Sequence, residues 1–466
     1  MNICFPSLSY SVNAEPTSGV GSQVRLLAHA LVDAGHEATV VDLAKDKPGV
    51  LTDERGVIVY RESAGKLHWF VSKVPLLGRA LTLPVREIEY SIAAWRGARK
   101  ISCERQVDLV EGTETGMLLL SLFWKKNPVI IRLHGEQYTF HKYTPGLPLT
   151  FGVRLSRVLQ RIALRRAKLL ISPSYAHARE IHDELRTNHP PIAVVPNVLV
   201  IENSNGQKPI APAVQTVLYA GRIEQRKGIK TLLHAAAETR AVLPESRFIF
   251  AGDFHSSVSR VEFQSLVSKH SLENNVDLLG PVDWNTLKDL YRDSTLAVLP
   301  SHYETFGLAA LEPMAFGTPV VACNSSALPE VVIPDQTGKL VAPGDSRALA
   351  EAMIDLLSHP EARQKMSNSA IEHAARFDVR RLLPLNEQLY KWCLEDSFSS
   401  NAAHIFFSPH LDDVVLSCGG AIHSLLTQEK AVRVITVFAG DIDGKQSAFA
   451  RHLQRKWKLE GQVPLS

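Results

Sequence analysis

Two carboxylates, Glu304 and Glu312, stand eight positions apart in the stretch SHYETFGLAALEPMAFGTP, residues 301–319. A carboxylate accepts hydrogen bonds from two neighbouring hydroxyls at once, so two such groups suit a molecule with a diol at each end. A hexose, a diphosphate and a ribose joined as a nucleotide-sugar have that shape. The same spacing also serves the paired carboxylates of a glycosidase, or two solvated helix glutamates with no site at all. A second stretch, Gly221-Arg222-Ile223-Glu224-Gln225-Arg226-Lys227-Gly228, sets Arg222 and Lys227 between glycines. Such cations hold a diphosphate and neutralise the charge that builds on it as it leaves. A third, Thr17-Ser18-Gly19-Val20-Gly21, puts Gly19 and Gly21 at a first βα turn, where a backbone can approach a phosphate or sugar closely. His134-Gly135 closes a fourth run, PVIIRLHG.

These residues need strands and helices to aim them. The run LAVLP (296–300) reads as a buried parallel strand. Thr305 is the expected cap of the helix that follows, Gly317 its end, and Pro319 prevents its resumption. Glu304 then lies in the loop at the strand's carboxyl end and Glu312 on the helix, with an anion-attracting helix N-terminus between them. MNICFPSL, QVRLLAHALVDAG and HEATVVDL predict a βαβ start, and GVIVY, VDLVEG, PVIIRLHG, KLLISPS and IAVVPNV continue as strands of an open parallel sheet. A polar, proline-containing run, IENSNGQKPIAPA, predicts a linker. TVLYAG, RFIFAG, VDLLG, TLAVLP, PVVA and GKLVAP then predict a second α/β series. His134 falls at a strand's carboxyl end, where such sheets hold ligands.

A chain of 466 residues has room for two or three domains, each with its own core. A net charge of +3 does not by itself indicate nucleic acid or membrane. Five scattered cysteines without metal-type pairing favour a reducing compartment over a disulfide scaffold. MNICFPSL has neither the basic start nor the long apolar core of a signal peptide. The longest apolar stretch, Met117 to Trp124, is too short to span a bilayer. The expected location is cytoplasmic, with peripheral contact at the inner face of a membrane as an addition. Two basic segments suggest that addition: Lys66 to Lys100, with Trp69, Phe70 and Trp95, and Arg154, Arg157, Arg161, Arg165 and Lys168 opposite Leu155, Val158 and Ile162. Either meets an anionic surface or acceptor, or is a solvated basic face packed on its own sheet.

Taken together, Gly221-Arg222…Lys227-Gly228, Glu304-Thr-Phe-Gly-Leu…Glu312 and Gly317-Thr-Pro-Val resemble the retaining, nucleotide-sugar-dependent glycosyltransferases of family 4. The resemblance runs from Met1 to about Glu395. It implies two Rossmann-like domains facing across a cleft (the GT-B architecture), at 1–198 on the acceptor side and 199–378 on the donor side. A helix at 379–398 would cross back to the first domain. By similarity, Arg222 and Lys227 would bind the donor diphosphate, Glu304 the sugar hydroxyls and Glu312 the ribose. The backbone of Phe306, Gly307 and Leu308 would contact sugar or phosphate, Gly19 and Gly21 would line the cleft, and His134 would sit near the reacting carbon. The resemblance implies hexosyl transfer without metal or other cofactor, to a sugar, lipid-linked or small-molecule acceptor, and no nucleic acid. Two details depart from the family: Ser18 precedes Gly19 where a second glycine is common, and Phe254 stands where a glycine often follows RFIFAGD.

After a break near residues 397–402 the sequence changes character. HIFFSPHLDDVVLSCGGAIHSLL resembles the start of the zinc-dependent N-acetylglucosaminyl deacetylases, the LmbE-like family, with Leu411 in place of that motif's proline. By similarity His410 and Asp413 would be zinc ligands and Asp412 the base that activates water. The third histidine expected further along has no match, since His423 and His452 do not fit the motif. A catalytic zinc takes three protein ligands, so residues 402–466 read as a truncated deacetylase segment. Two rival readings follow: a deacetylase, complete only with a partner chain, whose front domains deliver substrate, and a nucleotide-sugar-binding protein without turnover.

Overall fold

The structure is a computed structural model that describes residues 1–10, 19–43, 48–74, 77–135, 137–144, 146–186, 189–201, 215–255, 257–395, 404–408 and 432–436. It divides into two compact units, Met1–Pro384 and Leu385–Ser466.

The first unit contains two sheets. Strands β1 (Asn2–Ser7), β2 (Glu37–Asp42), β3 (Gly49–Thr52), β4 (Ile58–Arg61), β5 (Leu109–Gly112), β6 (Val129–Arg132), β7 (Leu169–Ser172) and β8 (Ile192–Val194) form one sheet in the order β3-β4-β2-β1-β5-β6-β7-β8. Strands β9 (Thr216–Ala220), β10 (Arg247–Ala251), β11 (Val276–Gly280), β12 (Leu296–Leu299), β13 (Val320–Cys323) and β14 (Gly338–Val341) form the other, in the order β11-β10-β9-β12-β13-β14. Every pairing in the second sheet is parallel. VIIR, LLIS, LAVL and VVAC are buried at all four positions, as strands covered on both faces must be. The first sheet is not purely parallel, because β3 pairs antiparallel with β4 at its edge. That strand escaped the sequence reading because GVLT is short and mostly exposed, with no buried run to announce it.

Helices of the first domain are α1 (Gly19–Asp33), α2 (Leu67–Ser72), α3 (Leu77–Glu104), α4 (Leu118–Phe123), α5 (Gln137–Tyr143), α6 (Phe151–Arg166) and α7 (Tyr175–Leu185). Those of the second are α8 (Ile229–Val242), α9 (Arg260–Lys269), α10 (Trp284–Asp293), α11 (Leu308–Ala315), α12 (Leu328–Val331), α13 (Ser346–Ser358) and α14 (Pro360–Ala374). Side chains of Thr150, Ser174, Ser259, Asp283 and Asp345 cap α6, α7, α9, α10 and α13 by accepting a backbone N–H three residues on.

Arg154 and Arg165 of helix α6, and Lys168 just after it, are exposed as expected, but the helix departs from the expected orientation at three positions. Val158 and Ile162, the expected packing side, face solvent, while Arg157 is buried. Its Nε and Nη2 donate to the Glu184 carboxylate at 2.8 and 2.6 Å, and Nη1 to Gln160 at 3.3 Å. All three nitrogens of the guanidinium find acceptors there, which makes its burial tolerable.

The chain passes between the domains twice at one place. Leu199 N–H donates to the Phe377 carbonyl at 2.9 Å and Val379 N–H to the Leu199 carbonyl at 2.7 Å. Gln23 of α1 holds Val198 from the other side through its carbonyl and its N–H, at 2.8 and 2.7 Å. Helix α15 (Val379–Leu394) begins here, and its Val379 and Leu382 pack with Val198 against Leu26 and Ala30 of α1.

In the second unit the described strands are β15 (His404–Ser408) and β16 (Val432–Thr436), paired in parallel. His410, Asp412 and Asp413, the proposed zinc ligands and base, lie outside the described residues.

Candidate functional site

In the second sheet β9 lies between β10 and β12, so the loops leaving β9 and β12 depart side by side at the point where strand order reverses. That adjacency joins residues 77 positions apart: Lys227 Nζ donates to Glu304 Oε1 at 2.5 Å. Both side chains are nearly buried, 12% and 11% exposed. Burial pulls the Lys227 pKa down, and Glu304 opposes it. Burial also works to raise the Glu304 pKa, but Lys227 and Arg226 outweigh it and hold the carboxyl below its ordinary value. Glu304 is therefore ionised at neutral pH. Gly228 makes this turn possible. Its φ is +73° and a Cβ would lie 2.0 Å from the Pro300 carbonyl oxygen, so any side chain there would strike the β12 loop.

The three basic residues of the β9 loop have different roles. Arg226 is buried and donates to the Tyr303 carbonyl and the Glu224 carboxylate, both at 2.6 Å. It ties the loop after β12 to the loop after β9. Arg222 has half of its side chain exposed, with Nη2 3.5 Å from Glu224. The sequence singled out Arg222 and Lys227 and passed over Arg226 and fully buried Glu224, because residue type alone does not separate a buried guanidinium from an exposed one. Ser326 was also missed; its Oγ accepts the Glu304 N–H at 2.7 Å.

Helix α11 starts at a different cap from the one expected. The N-cap is Gly307, at φ +108°, and no side chain caps the helix. Thr305 instead reaches the other domain: its Oγ1 donates to the His134 carbonyl at 3.2 Å, and its own carbonyl accepts from Ser174 Oγ at 2.7 Å. Phe306 is a core side chain, edge-to-face with Phe377, so only its backbone is available to a ligand. Glu312 accepts from the buried Tyr291 hydroxyl at 2.7 Å. Burial pushes its pKa up to about 7, with Tyr291 opposing.

The first domain brings its expected residues to the same place. Gly19 and Gly21 open α1. A Cβ on Gly21 would sit 2.2 Å from the Ser9 carbonyl oxygen, and one on Gly19 would be 3.8 Å from Leu308 Cδ1. The N-termini of α1 and α11 thus meet between the two sheets, and a helix N-terminus favours an anion. His134 follows β6, and its N–H and that of Gly135 donate to the Glu114 carboxylate at 3.0 and 3.1 Å. Its Nε2 is enclosed and has no partner among the described residues. Burial, with Arg132 and His177 nearby, pushes the ring's pKa down to about 3 and keeps the imidazole neutral. A Cβ on Gly135 would lie 2.3 Å from Thr305 Cγ2, so this glycine allows the two domains to touch.

A polar cluster beside the site joins the domains further. Tyr303 donates to Glu180 and lies 3.0 Å from His177 Nδ1, while Lys142 and Tyr143 donate to the same carboxylate at 2.7 Å. The rings of Tyr143 and Tyr303 stack at 4.0 Å. Glu330 accepts the N–H groups of Tyr175 and Ala176, at 2.8 and 2.7 Å, at the N-terminus of α7.

Two doubly wound parallel-sheet domains with helix N-termini meeting between them have the GT-B architecture of the two-domain glycosyltransferases. Residues 17–202 match the family described as Glycosyltransferase Family 4, and residues 200–373 match Glycosyl transferases group 1. The chain is similar to D-inositol 3-phosphate glycosyltransferase 2 of Catenulispora acidiphila, with 34% identity over 193 residues, 40% of this chain and 45% of that protein. It thus spans less than half the length of this curated relative. Among solved structures, sucrose-phosphate synthase from Thermosynechococcus elongatus has a TM-score of 0.67 at 24% identity, over 84% of this chain and 98% of that one. HepE of Anabaena, solved in complex with UDP-glucose, has a TM-score of 0.61 at 19% identity, over 84% of this chain and all of that one.

Proposed function

We propose that this chain is a glycosyltransferase that moves a hexose from a nucleotide diphosphate donor to an acceptor hydroxyl, retaining the anomeric configuration and requiring no metal. The observation that carries this reading is the Lys227–Glu304 pair at the β9/β12 switch point, beside the start of α11. Lys227 and exposed Arg222 supply cations for the diphosphate, and the α11 N-terminus favours its negative charge. Ionised Glu304 accepts from the sugar's hydroxyls and Glu312 from the ribose. The neutral ring of His134 faces the sugar from the first domain. In the step itself the bond from the anomeric carbon to the diphosphate oxygen breaks and a bond to the acceptor oxygen forms on the same face. The acceptor's proton passes to the leaving phosphate oxygen, and the cations stabilise the charge left on the diphosphate. The matched families, the named relative and the UDP-glucose bound by HepE support a nucleotide-sugar as donor.

Calorimetric titration with UDP-, GDP- and ADP-sugars tests the reading. One donor class is expected to bind, and Lys227→Ala to weaken it by about 1.5–3 kcal/mol through loss of a charge-assisted contact. Absence of binding by every donor, or equal binding by the variant, would refute it.

A further inference from the structure

The outer helix layer of the first domain has a composition that glycosyl transfer does not require. Helix α2 packs on α3, α3 on α4 and α6, and α4 on α6. The inner sides of α3, α4 and α6 share one core with the sheet. On the outside, large apolar side chains are exposed: Leu67, Trp69, Phe70 and Val74 at α2, Ile88 and Ile92 on α3, and further ones on α4 and α6. Phe70 is 58% exposed, and α2 has no buried residue at all. A helix with nothing buried gains little from the fold that carries it.

Charge on this layer is one-sided. Residues 66–104, 118–126 and 151–168 contain fifteen Lys and Arg against three acids, Glu87, Glu89 and Glu104, whereas the whole chain is nearly balanced, 51 against 48. Glu87 and Glu89 are turned inward. Glu89 accepts the N–H groups of Leu67 and His68 at 2.6 and 3.2 Å, which pins the start of α2 to α3. Glu87 accepts the Gly116 N–H at 2.8 Å. Glu104, at the far end of α3, is exposed and accepts from the Tyr60 hydroxyl at 2.7 Å, so it lies away from α2 and is already engaged. Lys73 Nζ lies 3.5 Å from the centre of the Trp69 ring, so cation and aromatic project together.

We propose that this face docks on an anionic lipid bilayer, with Leu67, Trp69 and Phe70 in the boundary between headgroups and acyl chains and the Lys and Arg on the headgroups. Aromatic and aliphatic side chains ringed by cations have that preference. Nucleic acid would engage the cations and stack on the aromatics, but it offers nothing to exposed Ile88, Ile92, Val158 and Ile162. No helix among the described residues is long and apolar enough to cross a membrane, so the contact is peripheral.

The test is flotation of the full chain with vesicles of phosphatidylcholine alone and of phosphatidylcholine mixed with phosphatidylglycerol. Binding is expected only to the mixed vesicles, and to weaken with salt. Two double variants at exposed positions, Trp69→Ser with Phe70→Ser and Lys66→Glu with Lys73→Glu, should each lower vesicle affinity about tenfold or more, with unchanged circular dichroism. No flotation with anionic vesicles, flotation that ignores both variants, or capture by heparin or duplex DNA in place of vesicles would overturn the proposal. The readout involves no catalysis, so it stands or falls separately from glycosyl transfer.

Discussion

At the scale of single residues, the two carboxylates that share a motif differ in their environments. Glu304 has Lys227 and Arg226 against it and stays ionised, whereas Glu312 has, among the described residues, the Tyr291 hydroxyl, and burial pushes its pKa up to about 7. A buried carboxyl with a raised pKa holds a proton that the unfolded chain has already released, so stability falls as pH rises from the ordinary carboxylate value through about 7. Glu312→Gln keeps an acceptor for Tyr291 and removes that titration. Relative to this variant, the parent should lose on the order of 3 kcal/mol between pH 5 and pH 8. Urea unfolding of both proteins at the two pH values measures it, and a constant gap would refute the assignment. Donor affinity should rise over the same range, because only the ionised form offers both oxygens to a ribose. The placing of Lys227 and Glu304 on loops at the carboxyl ends of strands, and of Glu312 on the helix that follows, was legible from type and spacing. The separate roles of Arg222 and Arg226 were not, since burial separates them and the loop sequence does not record it.

At the scale of elements, the buried strands announced themselves as unbroken apolar runs, and the site loops follow from where those runs end. What the sequence hid was of two kinds. Edge strand β3 has no buried run, and α6 buries Arg157 through a carboxylate on α7, a partner 27 positions away. Thr305 looked like a helix cap because capping residues and cross-domain donors are chemically alike. The turn that ends in Gly228 carries the strictest requirement. Gly228→Ala forces a left-handed φ on a residue with a Cβ and drives that carbon into the Pro300 carbonyl. It should destabilise the protein by about 3 kcal/mol and, by displacing Lys227 from Glu304, abolish donor binding. Thermal melting and calorimetry check both outcomes; a variant that melts and binds like the parent would show that the turn tolerates a side chain.

At the scale of the whole molecule, the two domains meet through polar contacts: Thr305 with His134 and Ser174, Tyr303 with Glu180 and His177, and Glu330 with the start of α7. None of these could be read from the chain, because each pair is more than a hundred positions apart and belongs to no periodic pattern. Glu330→Ala removes two charge-assisted bonds between the domains and should weaken their contact by about 3 kcal/mol, roughly a hundredfold in the equilibrium between joined and separated domains. Small-angle scattering should then show a larger radius of gyration at nearly unchanged melting temperature, since both cores are untouched. A profile that superposes on the parent's would mean that Glu330 does not restrain the domains.

The double crossing at Leu199 also has a consequence for how the protein is made. The apolar patch of α1 at Leu26 and Ala30 is covered by Val379 and Leu382. A ribosome delivers the first domain's sheet early and the residues that cover this patch only after the entire second domain has emerged. During that interval the nascent first domain carries an uncovered greasy stripe, and a chain cut short before Val379 keeps it permanently. Synthesis slowed within the second domain should therefore yield aggregates, and chaperones that hold apolar surface should bind the growing chain until α15 arrives.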